Sequence, residues 1–152
     1  MKPEHYFLGS NATRQVILQR ISSLEIGDAH YRITIADSMS KNARQRGLQW
    51  LWYGEVANSG FGAYDIKDDV HIAAKWKFAK PILLRDDEVF AAVWPELEKL
   101  YMQDKKTMKW IAEHFISTEG KGFAINEYLT EFERYYRQHG VQLTVPEKAL
   151  LE

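Results

Sequence analysis

Two groups of side chains in the sequence could do chemistry. In the first, Asp65, Asp68, Asp69 and His71 lie close together, with Lys75 one turn further on. Oxygen-rich clusters of this kind bind Mg²⁺, and a metal ion so held could support a metal-dependent nuclease. Acidic residues are also favoured at the start of a helix by its dipole alone. Both interpretations stay open, and the pattern favours the helix start.

The second group is basic and aromatic. In the stretch "SKNARQRGLQWLWYGEVA", Arg46 and Trp50 are four residues apart and would be neighbours on a helix surface. Arginine neutralises phosphate and an indole stacks on any base, a combination that suits a sequence-tolerant single-strand binder. The segment "KWKFAK" would add phosphate contacts, or would simply expose solvated lysines. The predicted DNA-contacting residues are Lys41, Arg44, Arg46, Trp50, Lys75 and Lys77.

The helical phase of this stretch separates its aromatic residues. At about 100° per residue, one face of the helix is predicted to form the core, and the opposite face would bind DNA, another helix or a second subunit. The predicted core face holds Leu48, Leu51, Trp52 and Val56, and the opposite face holds Arg46, Trp50, Tyr53 and Ala57.

Composition narrows the class of protein. The chain has 152 residues, 45% of them hydrophobic, and a formal net charge of −1. A single globular domain over residues 1–152 is expected, and whole-surface wrapping of duplex DNA is disfavoured because such proteins are strongly basic. The sequence has no cysteine, no long apolar N-terminal region and no apolar run of membrane-spanning length, so we expect a cytoplasmic protein without membrane contact.

Motifs for catalysis are lacking. The five histidines are scattered without metal-ligand pairing, and neither a phosphate-binding loop motif nor a dinucleotide-binding glycine motif occurs. We therefore predict a protein that is not an enzyme and that uses no cofactor or structural metal.

The elements that must position these residues read as an α+β fold. A strand at His5–Gly9, a helix capped by Asn11 and a strand at His30–Ala36 would form a small N-terminal β-α-β element, followed by a mostly helical bundle. Helices are predicted from Lys41 to Ala57 and from Asp65 to Lys80, where Pro81 ends the second helix. Two short helices are predicted on either side of Pro95, a further helix through "DKKTMKWIAEHF", and a last helix from an Asn126 cap to Gly140. The tail after about residue 145 is expected to be loose.

Three segments, in order, resemble the NinB (Orf) family of phage recombination proteins. "ITIADSMSKNARQRGLQWLWYGEVA" resembles the early signature, "DDVHIAAKWKFAKPILLRDDEVFAAVW" the middle helices and "ISTEGKGFAINEYLTEFERYYRQHGVQLTVPE" the closing segment. The matching positions are Lys41, Gln45, Trp50, Gly54, Glu55, Ser117, Thr118, Glu127, Tyr128, Leu129, Glu133, Gly140 and Val141. Arg44-Gln45-Arg46 replaces a Gln-Asn-Arg run of the family.

The resemblance implies a homodimeric α+β protein from a phage or prophage, acting in the bacterial host. It implies binding of single-stranded DNA without sequence specificity, and recombination mediation: loading of a RecA-type recombinase together with single-strand-binding protein. A dimer would pool two weak basic patches. The alternatives are a phage protein-interaction module without DNA binding and, ranked last, the metal-dependent nuclease.

Overall fold

The structure, a computed structural model, describes residues 2–6, 8–35, 41–146 and 151. Every regular element within these residues is helical, so the predicted α+β class with an N-terminal β-α-β element is wrong. The α-helices are α1 (Asn11–Ser22), α2 (Lys41–Asn58), α3 (Lys67–Ala74), α4 (Lys80–Asp86), α5 (Glu88–Gln103), α6 (Met108–Phe115) and α7 (Ile125–Gln138). A π-helical turn (Lys75–Ala79) joins α3 to α4, and a 3₁₀ turn (Lys105–Thr107) precedes α6.

The two predicted strands fail for one physical reason. The described residues of His5–Gly9 and His30–Ala36 form no strand, and Ile33 and Ile35 are 59% and 94% exposed. Alternating apolar residues specify a strand only when a partner strand pairs with it and another element covers one face. The described chain supplies neither, so the alternation has no structural consequence here.

The chain divides into two compact units, Met1–Ser40 and Lys41–Glu152. In the first unit, the N-cap of α1 is Ser10 rather than the predicted Asn11, because the Ser10 hydroxyl accepts a hydrogen bond from the Thr13 N–H. Arg20 makes a bidentate ion pair with Glu4, whose pKa it lowers to about 2. No residue of α1 is buried.

The second unit is a helical bundle around an aromatic core. Helix α2 packs against α3 and α7, α3 packs against α6, and α5 packs against α4 and α6. At its centre the Trp52 ring of α2 stacks parallel to the Phe132 ring of α7, with centroids 6.0 Å apart. Both side chains are fully buried. The predicted stripe of α7, Leu129, Phe132 and Tyr136, is confirmed as buried.

Neither proline acts as predicted. Pro81 lies in the first turn of α4 and follows the π-helical turn, in which the Lys80 N–H donates to the Lys75 carbonyl five residues back. A proline ring clashes with the carbonyl four residues before it in a regular helix, and the wider turn accommodates the ring. Pro95 lies inside the continuous helix α5.

The last described segment is attached to the bundle. Gly140 adopts a φ of +84° after α7, as its predicted role as a helix stop requires, whereas Ala124 and not Asn126 is the N-cap. Val141 and Leu143 beyond it are buried. Most of the predicted loose tail, residues 147–150 and 152, lies outside the described residues, and Leu151 packs against the core.

Candidate nucleic-acid interface

The face that α2 buries differs from the predicted face. Its buried residues follow the spacing of three and four that an amphipathic helix requires: Gln45, Leu48, Gln49, Trp52, Tyr53 and Val56. Tyr53 is 1% exposed and belongs to the core, whereas Leu51 is 48% exposed. The buried stripe is rotated by about 50° from the predicted one, because two of its members are glutamines that a search for apolar residues omits.

The buried glutamines belong to a polar network. Gln49 Nε2 donates hydrogen bonds to the Tyr53 hydroxyl at 2.6 Å and to the Thr118 Oγ1 at 3.2 Å. The Tyr53 hydroxyl is hydrogen-bonded to the Tyr128 hydroxyl of α7. Burial raises the pKa of both tyrosines, so both phenols stay neutral. The network links α2 to α7 and to Thr118, and it satisfies the Gln49 amide on the buried face of α2.

A second polar contact ties the start of α2 to the start of α7. Gln45 Nε2 donates to the Asn126 Oδ1. The residue predicted to cap α7 therefore uses its side chain to hold α2. These contacts were not predicted from the sequence. The pattern that could have indicated them is the spacing of four between Gln45, Gln49 and Tyr53, which places all three on one side of a helix.

Trp50 is half-buried at the boundary between α2 and α3. Its ring meets the His71 ring edge-to-face at 4.8 Å and the Tyr53 ring edge-to-face at 5.2 Å. The Lys67 Nζ lies 5.7 Å from the indole centroid. The indole therefore packs between α2 and α3 and is partly exposed near the Lys67 ammonium. It is not the fully outward-facing stacking surface that the helical phase predicts.

His71 completes the aromatic contact behind Trp50. Its ring stacks on Tyr53 at 4.9 Å, and its Nε2 is buried without a hydrogen-bond partner among the described residues. Burial, reinforced by the positive charge of Lys75, lowers the pKa of His71 to about 4. The ring is therefore neutral at pH 7.

The predicted phosphate contacts do not form one continuous surface. On α2, Lys41 and Arg46 are exposed and Arg44 is half-buried. These α2 residues share a helix with Trp50, and Arg46 lies one turn before it.

The two lysines of "KWKFAK" contact different helices. Lys75 Nζ donates to the Ala112 carbonyl of α6 at 3.2 Å, and burial lowers its pKa. Lys77 Nζ lies 3.3 Å from the centroid of the Tyr135 ring of α7. The π-helical turn that carries both residues thus directs one toward α6 and the other toward α7.

The acidic cluster caps a helix. The Asp69 carboxylate accepts hydrogen bonds from the backbone N–H groups of Asp65 and Ile66, each at 3.3 Å, at the start of α3. Within the described ranges, no three histidine or acidic side chains are grouped closely enough to hold a metal ion. A shallow groove of about 280 Å³ beside the cluster combines Asp68, Lys109 and Glu113 and so presents both signs of charge.

Comparison with known proteins adds no relative. The chain has no significant match to any family model, to any curated protein or to any solved structure. Among the described residues, no helix has the length and apolar character that crossing a membrane requires.

Proposed function

We propose that the protein binds single-stranded DNA, without catalysis and without sequence preference, on the surface formed by the outer sides of α2 and α3. The observation that carries this proposal is the position of Lys67 Nζ, 5.7 Å from the centroid of the half-buried Trp50 indole. Arg46, one turn before Trp50, is exposed on the same helix. A half-buried indole with a lysine over its ring and an arginine one turn earlier on the same helix can contact a base and its neighbouring phosphates together.

The charges of this surface limit its affinity. Lys41, Arg46 and Lys67 are exposed, but Asp65 and Asp68 are exposed at the start of α3 as well. With a net charge of −1, the chain has no general attraction for nucleic acid. Binding would therefore be weak per chain and steeply dependent on salt, and pairing of two chains would strengthen it by doubling the number of phosphate contacts.

The resemblance to the NinB family supplies the biological part of the proposal. It suggests a homodimeric phage or prophage recombination mediator that helps to load a RecA-type recombinase in concert with single-strand-binding protein in the bacterial cytoplasm. The all-helical described chain departs from the α+β fold that the family implies, so this part rests on the quoted segments alone.

The test is a salt titration with matched variants. Fluorescence anisotropy of labelled oligo-dT and of a duplex of equal length is measured from low to physiological salt, with the full chain. Arg46→Gln and Lys67→Gln should each weaken oligo-dT binding by about threefold to tenfold and flatten the salt slope by about one unit. Lys99→Gln is the control, because the Lys99 side chain is 69% exposed on α5 and pairs with Glu96 on the same helix.

Two outcomes would overturn the proposal. Equal affinity of the Lys67→Gln and Lys99→Gln variants would remove the α2–α3 surface from the binding site. If the protein binds no nucleic acid at low salt but forms a stable complex with another protein in a pull-down, the alternative of a protein-interaction module is established.

A further inference from the structure

A second surface of the bundle has the composition of a docking site for a protein segment. The junction of α4 and α5, the end of α6 and the loop 117–123 line an open cavity of about 420 Å³. Its apolar lining comes from Ile82, Leu83, Val89, Phe115 and Phe123. A cavity of this size accommodates one or two large apolar side chains.

The rim of the cavity exposes apolar side chains that the fold does not need there. Val89 is 74% exposed, although α5 buries a separate face through Phe90, Trp94 and Leu97. Phe115 is 39% exposed, and the ring of Trp110, 48% exposed, lies 5.5 Å from it. Val89 and Phe115 line the same cavity, and exposed apolar side chains beside a cavity are typical of an interaction surface.

The charges around the cavity select the partner. The residues that line it include three consecutive acidic residues, Asp86, Asp87 and Glu88, and one lysine, Lys121. Arg85 pairs with both carboxylate oxygens of Asp86 and with Glu127. The Asp87 carboxylate accepts from the Phe90 N–H, so Asp87 and Glu88 are the lining carboxylates that no cation of the described chain neutralises. The rim is therefore net negative, repels phosphate groups, and attracts arginine and lysine.

We propose that this cavity binds a segment of another protein in which one or two large apolar residues are flanked by arginine or lysine. The apolar residues fill the cavity between Val89 and Phe115, and the basic residues lie along Asp87 and Glu88. The proposal is independent of DNA binding on the α2–α3 surface, since it uses different residues on different helices.

The experiment uses the full chain and three capped peptides of equal length. The probe peptide carries Leu-Phe at its centre with two basic residues on each side. The second peptide has Ser-Ser in place of Leu-Phe, and the third has glutamate in place of every basic residue. Binding is measured by fluorescence anisotropy, and the site is located from backbone amide NMR shifts of Gly120 and Gly122, which line the cavity.

The protein variants separate the apolar from the electrostatic contribution. Val89→Ser and Glu88→Gln test the cavity. Val145→Ser, at a valine that is 80% exposed, and Glu98→Gln, at an exposed glutamate further along α5, are the matched controls. Because all four positions are exposed, thermal melts should show that each variant folds.

The proposal expects the probe peptide to bind at least fivefold more tightly than either altered peptide, with shifts at Gly120 and Gly122 but not at Gly54 or Gly140. Val89→Ser and Glu88→Gln should each weaken binding by about threefold or more, and their controls by less than about 1.5-fold. The proposal would be overturned if the Ser-Ser or the glutamate peptide bound as tightly as the probe, or if a variant and its control had equal effects. It would also be overturned if the NMR shifts occurred away from Gly120 and Gly122, or if no peptide bound at about 1 mM.

Discussion

Glu55 of α2 holds Thr144, which lies 89 positions later in the chain, with both of its carboxylate oxygens. One oxygen accepts from the Thr144 N–H at 3.0 Å, and the other accepts from its hydroxyl at 3.0 Å. Beside this contact, the Trp52 Nε1 donates to the Thr144 carbonyl at 2.9 Å. The segment after α7 is therefore attached to α2 by the indole donor of Trp52 and, three residues later, by the charged acceptor of Glu55.

Removal of this attachment should loosen the end of the chain without unfolding the bundle. Glu55→Ala is expected to lower the free energy of unfolding by about 1–2 kcal/mol, because hydrogen bonds to a charged group contribute more than neutral ones. Chemical denaturation measures the loss, and faster hydrogen exchange at the Thr144 amide locates it. Glu98→Ala on α5 is the control, and an unchanged Thr144 exchange rate in Glu55→Ala would contradict the prediction.

Acid should destabilise the protein through His71. Since the pKa of this ring is lowered from 6.5 to about 4, the unfolded chain binds more protons than the folded chain between these values. The stability linked to His71 is thus fully present above about pH 6.5 and is lost as the pH falls toward 4. Unfolding measured from pH 7.5 to 4.5 should show this decline.

The variant His71→Phe isolates that contribution. A phenyl ring can keep the contacts with Trp50 and Tyr53, and it removes the buried Nε2 that lacks a partner among the described residues. We expect the variant to be as stable as the parent at pH 7.5 and clearly more stable at pH 4.5. The same pH slope in both proteins would contradict the prediction, and His30→Gln, at an exposed histidine, is the control variant.

Pro95 should limit the stability of α5. It is exposed in the interior of the helix, where a proline removes one backbone hydrogen bond and costs about 3 kcal/mol relative to alanine. The helix persists because Phe90, Trp94 and Leu97 are buried on both sides of the proline, each by an amount that contributes about 2 kcal/mol. Pro95→Ala should therefore raise the midpoint of thermal unfolding by several degrees, and a lowered midpoint would show that the ring makes a contact that the bundle needs.

Long amphipathic helices were the part of this fold that sequence could predict. The α7 stripe and its glycine stop follow from local spacing, and the structure confirms both. The N-terminal strands could not be judged in this way, because strand formation depends on pairing with distant residues that an alternating pattern does not specify.

The candidate interface was predictable in composition but not in arrangement. Arg46 and Trp50 follow from residue types four apart, whereas Lys67 above the indole depends on the packing of α3 against α2. The face of α2 was misassigned because Gln45 and Gln49 are buried through partners far along the chain, Asn126 and Thr118. Local spacing carries no information on such partners.

The π-helical turn between α3 and α4 has a consequence for how this part of the chain is encoded. Val70, Ala74, Phe78 and Ile82 are all buried, at a constant spacing of four. In a regular α-helix that spacing drifts by about 40° at each step, and the wider turn takes up part of the drift. The π-helical turn thus helps these four residues, spaced four apart, to stay on the buried side of the run. Deletion of one residue at this turn could therefore leave a continuous, regularly wound α-helix.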